Sequence, residues 1–188
     1  METPQVILGI DPSINSTGLT VWKREQNIHI YYIISNHLTK KMKDFHHDRF
    51  QYIEYQKIQP DKNVEYCIRE SQKTSNIFNI CQAIREVIQN EGVTACVMEG
   101  VSYGSTGSAA LVDLAGLNFA IRCTLKELNI PFMIVSPTSV KSFAVGNGAA
   151  QKEAIIFAWT HCDPEFQGVK VKIDDVADSY FMSHMYHS

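Results

Sequence analysis

The chain has no CxxC pair, and its cysteines, Cys67, Cys81, Cys96, Cys123 and Cys162, are odd in number. That count and spacing exclude a disulfide framework and a cysteine-rich zinc module. They point instead to reduced thiols in the apolar segments of an intracellular protein. The histidines supply no substitute, because His46-His47 and His184/His187 lack companion cysteines at ligand spacing. Long hydrophobic runs are also missing. The first apolar stretch, residues 6–10, breaks at Asp11-Pro12, too short for a membrane span and unlike a secretory leader. A cytoplasmic location without a membrane partner is therefore expected. Positive charge is not in excess: 17 Lys and Arg face 20 Asp and Glu, a net charge of -3, whereas nucleic-acid binders are often basic. Bound cations would alter that balance if several of the acids held them. With no repeat, low-complexity tract or linker, the 188 residues are expected to form one domain, residues 1–188.

What is present is a pattern of strands and helices. Residues 6–10 form a continuous apolar run suited to a buried strand, followed by a turn-rich loop and a second strand from 19 to 22. Residues 28–34, rich in Ile and Tyr, read as a third, and the two short connections imply an antiparallel meander. Residues 36–63 show no clear period; Lys40, Lys41, Lys43, His46, His47 and Arg49 are mixed there with Phe45, Phe50, Tyr52 and Tyr55. From 71 to 90, Ile77, Ile80, Cys81, Ile84, Val87 and Ile88 recur at helical spacing, and Gly92 ends the run. A strand at 94–98, an apolar helix at 108–128, a strand at 132–135, a helix at 149–159 and a last helix from near Asp174 follow. The expectation is an α/β fold, a mixed five-stranded sheet with its first three strands antiparallel, flanked by helices.

Acids fall at telling places in this pattern. Asp11 closes the first strand, Glu99 closes the fourth, and Asp174, Asp175 and Asp178 open the last helix. A carboxylate at the end of a buried strand is costly unless something pairs with it. Neighbouring parallel strands would bring Asp11 and Glu99 to one sheet edge, where α/β sheets place their sites. Asp174 suits an N-cap and Asp175 the helix dipole. Asp178 fits neither role: positions 174, 177, 178, 181, 182 and 185 share one helical face, so it should point inward beside Ala177, Phe181 and Met182. Several carboxylates in one pocket repel one another and become reasonable with divalent cations among them. Two Mg²⁺ ions about 4 Å apart serve in-line phosphodiester displacement. A phosphate substrate also suits Lys141, after Pro137-Thr138-Ser139-Val140, and Lys152, after Gly146-Asn147-Gly148. Tyr103, in the loop that begins at Ser102, is an aromatic able to stack on or wedge between bases.

Taken in order, Ile7-Leu8-Gly9-Ile10-Asp11-Pro12-Ser13, Met98-Glu99-Gly100-Val101 and Asp174-Asp175-Val176-Ala177-Asp178-Ser179 resemble the acidic motifs of RuvC-type Holliday junction resolvases. The segments around Lys141 and Lys152 resemble that family's two lysine segments. Glu99-Gly100-Val101-Ser102-Tyr103-Gly104 looks most like the variants encoded by bacteriophages. The resemblance covers residues 6–22 and nearly everything from 93 onward. It implies an RNase H-like fold and an endodeoxyribonuclease that resolves four-way junctions, with flaps and forks open as further substrates because phage relatives admit them. Asp11, Glu99, Asp175 and Asp178 would hold two Mg²⁺, with Mn²⁺ able to substitute. Lys141 and Lys152 would contact phosphate, and the junction-wedging aromatic falls at or beside Ser102-Tyr103. A phage-encoded protein would act in the host cytoplasm. The family's members are two-fold dimers, and the apolar helix at 108–128 is the natural candidate for a shared surface. Two other readings stay open. A catalytically silent nucleic-acid-binding module of the same fold should have lost an acid. An actin-like phosphate-loop ATPase needs a second domain and a second phosphate loop.

Overall fold

The computed structural model describes residues 5–58, 63–101, 108–169, 171, 173 and 175–186. Strands β1 (Val6–Asp11), β2 (Ser16–Lys23) and β3 (Ile28–Ser35) form the antiparallel meander. A single helical turn, α1 (Lys40–Lys43), leads to β4 (Phe50–Glu54), and the long α2 (Tyr66–Glu91) leads to β5 (Ala95–Glu99). Helix α3 (Ser108–Glu127), strand β6 (Phe132–Val135), helices α4 (Pro137–Val145) and α5 (Lys152–Cys162), a 3₁₀ turn at Pro164–Phe166 and α6 (Asp175–His184) follow.

The sheet runs β4-β3-β2-β1-β5-β6, with β1–β5, β3–β4 and β5–β6 parallel. Only β2 opposes the others, so the carboxyl ends of five strands share one edge. The sheet has six strands where the sequence suggests five. The added β4 lies at an edge, where only Phe50 is buried, so its alternation of apolar and polar residues is weak.

Period-2 alternation divides the core into two layers. Leu8, Ile10, Leu19, Val21, Cys96 and Met98 face α2 and α3, where Ile80, Ile84, Leu117 and Ile121 meet them. On the other face Tyr31, Ile33 and Val97 pack with Trp159, Phe166, Val176, Ala177 and Phe181 of α5, the 3₁₀ turn and α6. Asp163 ties this second layer to the start of β4. It accepts both guanidinium nitrogens of Arg49 at 2.8 Å and the Tyr31 hydroxyl at 2.7 Å.

Helix α6 is buried nearly all round, which corrects the single inward face expected of it. Its sheet-facing stripe is Asp175, Val176, Ser179 and Ser183, because a Cβ at Gly9 would overlap the Ser179 carbonyl and one at Gly18 the Asp175 carbonyl. Both strand glycines permit the helix backbone to lie directly on the sheet. Thr20 Oγ1 meets Ser179 Oγ at 2.8 Å across the same contact. At the far end of α6, His184 Nε2 stands 2.9 Å from His29 Nε2 among the rings of Trp22 and Tyr180. Burial pushes both imidazoles down to about 4, helped at His29 by His184 and at His184 by Arg24.

The five cysteines are free thiols, but only Cys81 and Cys96 are buried; Cys67, Cys123 and Cys162 are exposed rather than in the core. No described helix is long and apolar enough to cross a membrane.

Candidate active site

The register of β1 with β5 pairs Ile10 with Met98, so Asp11 and Glu99 follow side by side at the carboxyl edge. Gly9 lies under α6 and Val97 belongs to the α6 layer. Two residues on, Asp11 and Glu99 therefore face α6 as well. The first turn of that helix supplies Asp175 and Asp178. All four acids expected to act together are thus brought to one place, Asp175 buried and the other three partly exposed.

Their charges interact strongly. Burial raises the Asp11 carboxyl well above the ordinary aspartate range, and repulsion from Glu99, Asp178 and Asp175 adds to it against the pull of Lys152. Burial and Asp178 push Glu99 from the ordinary 4.5 up to about 7, opposed by Lys141 and by a side-chain hydrogen bond with Asp11. Burial also raises Asp178, with Lys152 and Lys141 pulling it down and Asp175 pushing it up. Asp175 accepts the Ser16 hydroxyl on one oxygen and faces Lys152 Nζ at 3.5 Å on the other.

Both expected lysines therefore reach the cluster. Lys141 comes from α4, and Lys152 is the first residue of α5. The Gly146-Asn147-Gly148 segment leads into a helix as expected, though α5 starts at Lys152, with Gln151 as N-cap, rather than at Ala149. Gly146, at φ 74°, closes α4, a helix that the sequence reading does not assign after the strand at 132–135. Ser102, Tyr103 and Asp174 lie outside the described residues. Sequence reasoning missed Ser16 and Gly18, which hold Asp175 in position. A glycine inside strand β2 was the available signal, since it marks a close backbone approach.

Four carboxylates set close enough to repel one another offer the hard oxygen donors that suit a divalent metal such as Mg²⁺. Among the described residues, however, no three His, Cys, Asp or Glu side chains form a preset metal-holding group. Asp175, turned toward Ser16 and Lys152, would exchange the ammonium for a cation.

This is an RNase H-like fold: a mixed α/β sheet, antiparallel in its first three strands and flanked by helices. The chain is similar to the structure of Thermus thermophilus RuvC, with 17% identity and a TM-score of 0.55, over 95% of this chain and 90% of that one. It matches T. thermophilus RuvC in complex with a Holliday junction substrate at 17% identity and a TM-score of 0.57, with the same coverage. No protein-family model matches the chain, and no curated protein matches its sequence.

Proposed function

We propose that this protein is a Mg²⁺-dependent, structure-selective DNA endonuclease that resolves Holliday junctions and other branched DNA. The observation that carries the proposal is the convergence of Asp11, Glu99, Asp175 and Asp178 at the carboxyl edge of β1 and β5. The likeness of the whole fold to RuvC supports it.

In this reading the four carboxylates hold two Mg²⁺, and Mn²⁺ can replace them. When bound, the ions supply charge neutralisation and activation of water at the phosphodiester. The chain's own residues do the rest. Asp11, at the centre of the cluster, faces both partners: Glu99 on β5 and the α6 pair. Ser16 and the Gly18 contact fix the first turn of α6 so that Asp175 and Asp178 face the strand ends. Lys141 and Lys152 hold phosphate oxygens beside the reacting group, trading their carboxylate neighbours for DNA. Ser102 and Tyr103 are assigned to the branch point of the substrate.

The functional unit is a homodimer, since paired incision of a two-fold junction needs two sites. The surface of α2 and α3 supports this, with Val112 67%, Phe119 60% and Phe78 58% exposed. A phage-encoded origin and action in the host cytoplasm complete the reading.

The test is a cleavage panel of four-way junction, three-way junction, flap and linear duplex, with and without Mg²⁺. Branched substrates should be cut to 5′-phosphate and 3′-hydroxyl ends only with the metal. Binding of junctions without cleavage under any metal would favour the silent module.

A further inference from the structure

Lys141, on the helix that follows β6, acts on Glu99 from the β5–β6 side of the carboxylates, while Lys152 reaches Asp175 over the start of β2. Along the carboxyl edge of the sheet, the end of β1 is followed by the start of β2 and then by the ends of β3 and β4. Lysines of the segment around β4 reach this edge, whereas Arg49 lies at the other end of the strand. Helix α1 is tied there through Glu54, the last residue of β4, which accepts the Leu38 N–H at 3.2 Å and pairs with Lys43 at 3.2 Å. Lys40 and Lys41 beside it are exposed, and neither forms an ion pair among the described residues.

Lys57 lies closer still. Its Nζ meets Asn15 Oδ1 at 3.0 Å, within the loop that joins Asp11 to Ser16. The Tyr55 hydroxyl, bonded to the Ile14 carbonyl at 2.5 Å, holds the same segment against that loop. A neutral amide oxygen occupies one of the three ammonium donors and leaves the others for an anion.

We propose that Lys57, Lys40 and Lys41 form a second phosphate-contacting flank, which holds a duplex arm of the DNA on the side of the carboxylates opposite Lys141. The inference rests on the nuclease reading above and extends its substrate contacts. Three strand spacings separate the ends of β1 and β4, roughly 14 Å, or about four base-pair steps at 3.4 Å each. That is a span a single continuous arm covers without bending. Of the acids in this segment, Glu54 is engaged by Lys43, and Asp44 and Asp48 are exposed, which leaves Lys40, Lys41 and Lys57 one positive charge in excess.

The experiment measures binding of the full chain to a labelled four-way junction, a linear duplex and a single strand, between 50 and 200 mM salt. The variants are Lys40→Ala/Lys41→Ala and Lys57→Met, with unchanged melting temperature as the folding control. Removing one lysine–phosphate pairing should lower the slope of log K against log salt by about 0.9, so the double variant falls by about 1–2 in slope and Lys57→Met by about 1. Duplex and junction should both show the decrease. Wild-type affinity and slope in both variants would overturn the proposal, and a decrease confined to the single strand would overturn the duplex assignment. A wild-type chain that binds none of the three DNAs would overturn the nuclease reading itself, a result visible without any variant.

Discussion

Substituting Gly18 by alanine tests how the four acids are brought together. Gly18 pairs with Asp11 across β1 and β2, and the Asp175 carbonyl lies directly above it. A Cβ there would fall far inside 3.4 Å, where ordinary van der Waals contact begins, and the obstructing atoms are backbone. To regain a tolerable separation, the first turn of α6 must retreat by more than about 1 Å, an overpacking that costs about 1–3 kcal/mol. For a chain of this size, about 2 kcal/mol corresponds to a fall in melting temperature of about 4–8 °C. The retreat also carries Asp175 and Asp178 away from Asp11 and Glu99, and a misplacement near 1 Å is worth about 100-fold in rate. Gly92→Ala is the matched control. Gly92, at φ 65°, closes α2 with open space around it, so alanine there costs about 1–2 kcal/mol of backbone strain away from the site. The assay is single-turnover junction cleavage in Mg²⁺, alongside thermal melting. Both variants should melt earlier, and only Gly18→Ala should cut about 100-fold more slowly. A Gly18→Ala protein that cuts at the wild-type rate would refute the claim that this contact sets the site.

Further outcomes follow from the same structure. Lys141→Ala and Lys152→Ala should lower the single-turnover rate more than junction affinity; weakened affinity at an unchanged rate would make them ordinary backbone anchors. Phe119→Glu removes about 2 kcal/mol of apolar burial from each half of a two-fold interface, weakening dimerisation by about 1,000-fold. Light scattering should then find a folded monomer, and a wild type already monomeric with and without a junction would remove the symmetric mechanism. His29 and His184 titrate near 4 in the folded chain and near 6.5 when unfolded. Their stabilising contribution is therefore full above pH 6.5 and is lost as pH falls toward 4. A His29→Phe/His184→Leu variant should flatten that part of the stability profile measured by urea unfolding. Glu99 has the opposite sign. Its folded value of about 7 against an ordinary 4.5 favours the folded state at low pH and loses that contribution as pH rises to 7. Mg²⁺ should thus raise the melting temperature more at pH 8 than at pH 5.

Much of this arrangement was legible in the sequence because strand periodicity and acid placement agree. The run ending at Asp11 and the run ending at Glu99 read as buried strands, and their parallel pairing brings the acids together as a shared site requires. Strand β6 falls at the residues expected of it. The edge strand β4 did not declare itself, since one buried residue in five gives no alternation to detect. Helix α4 carried the right punctuation, Ser136 as N-cap, Pro137 in the first turn and Gly146 after the end, but its nine residues are too short for a clear apolar stripe. The inward face of α6 was misjudged for a different reason. Periodicity presumes one buried side, and this helix is covered by the sheet on one side and by α4 and α5 on the other.

The central claim is that Asp11, Glu99, Asp175 and Asp178 act as one metal-dependent cleavage centre. The most direct test compares Asp11→Asn, Glu99→Gln and Asp178→Asn with the wild type in single-turnover cleavage of a four-way junction in Mg²⁺, with junction affinity measured in parallel. The account predicts that each variant loses cleavage while binding stays nearly intact, because phosphate contacts supply most of the affinity. Near wild-type cutting by any two of them would contradict it.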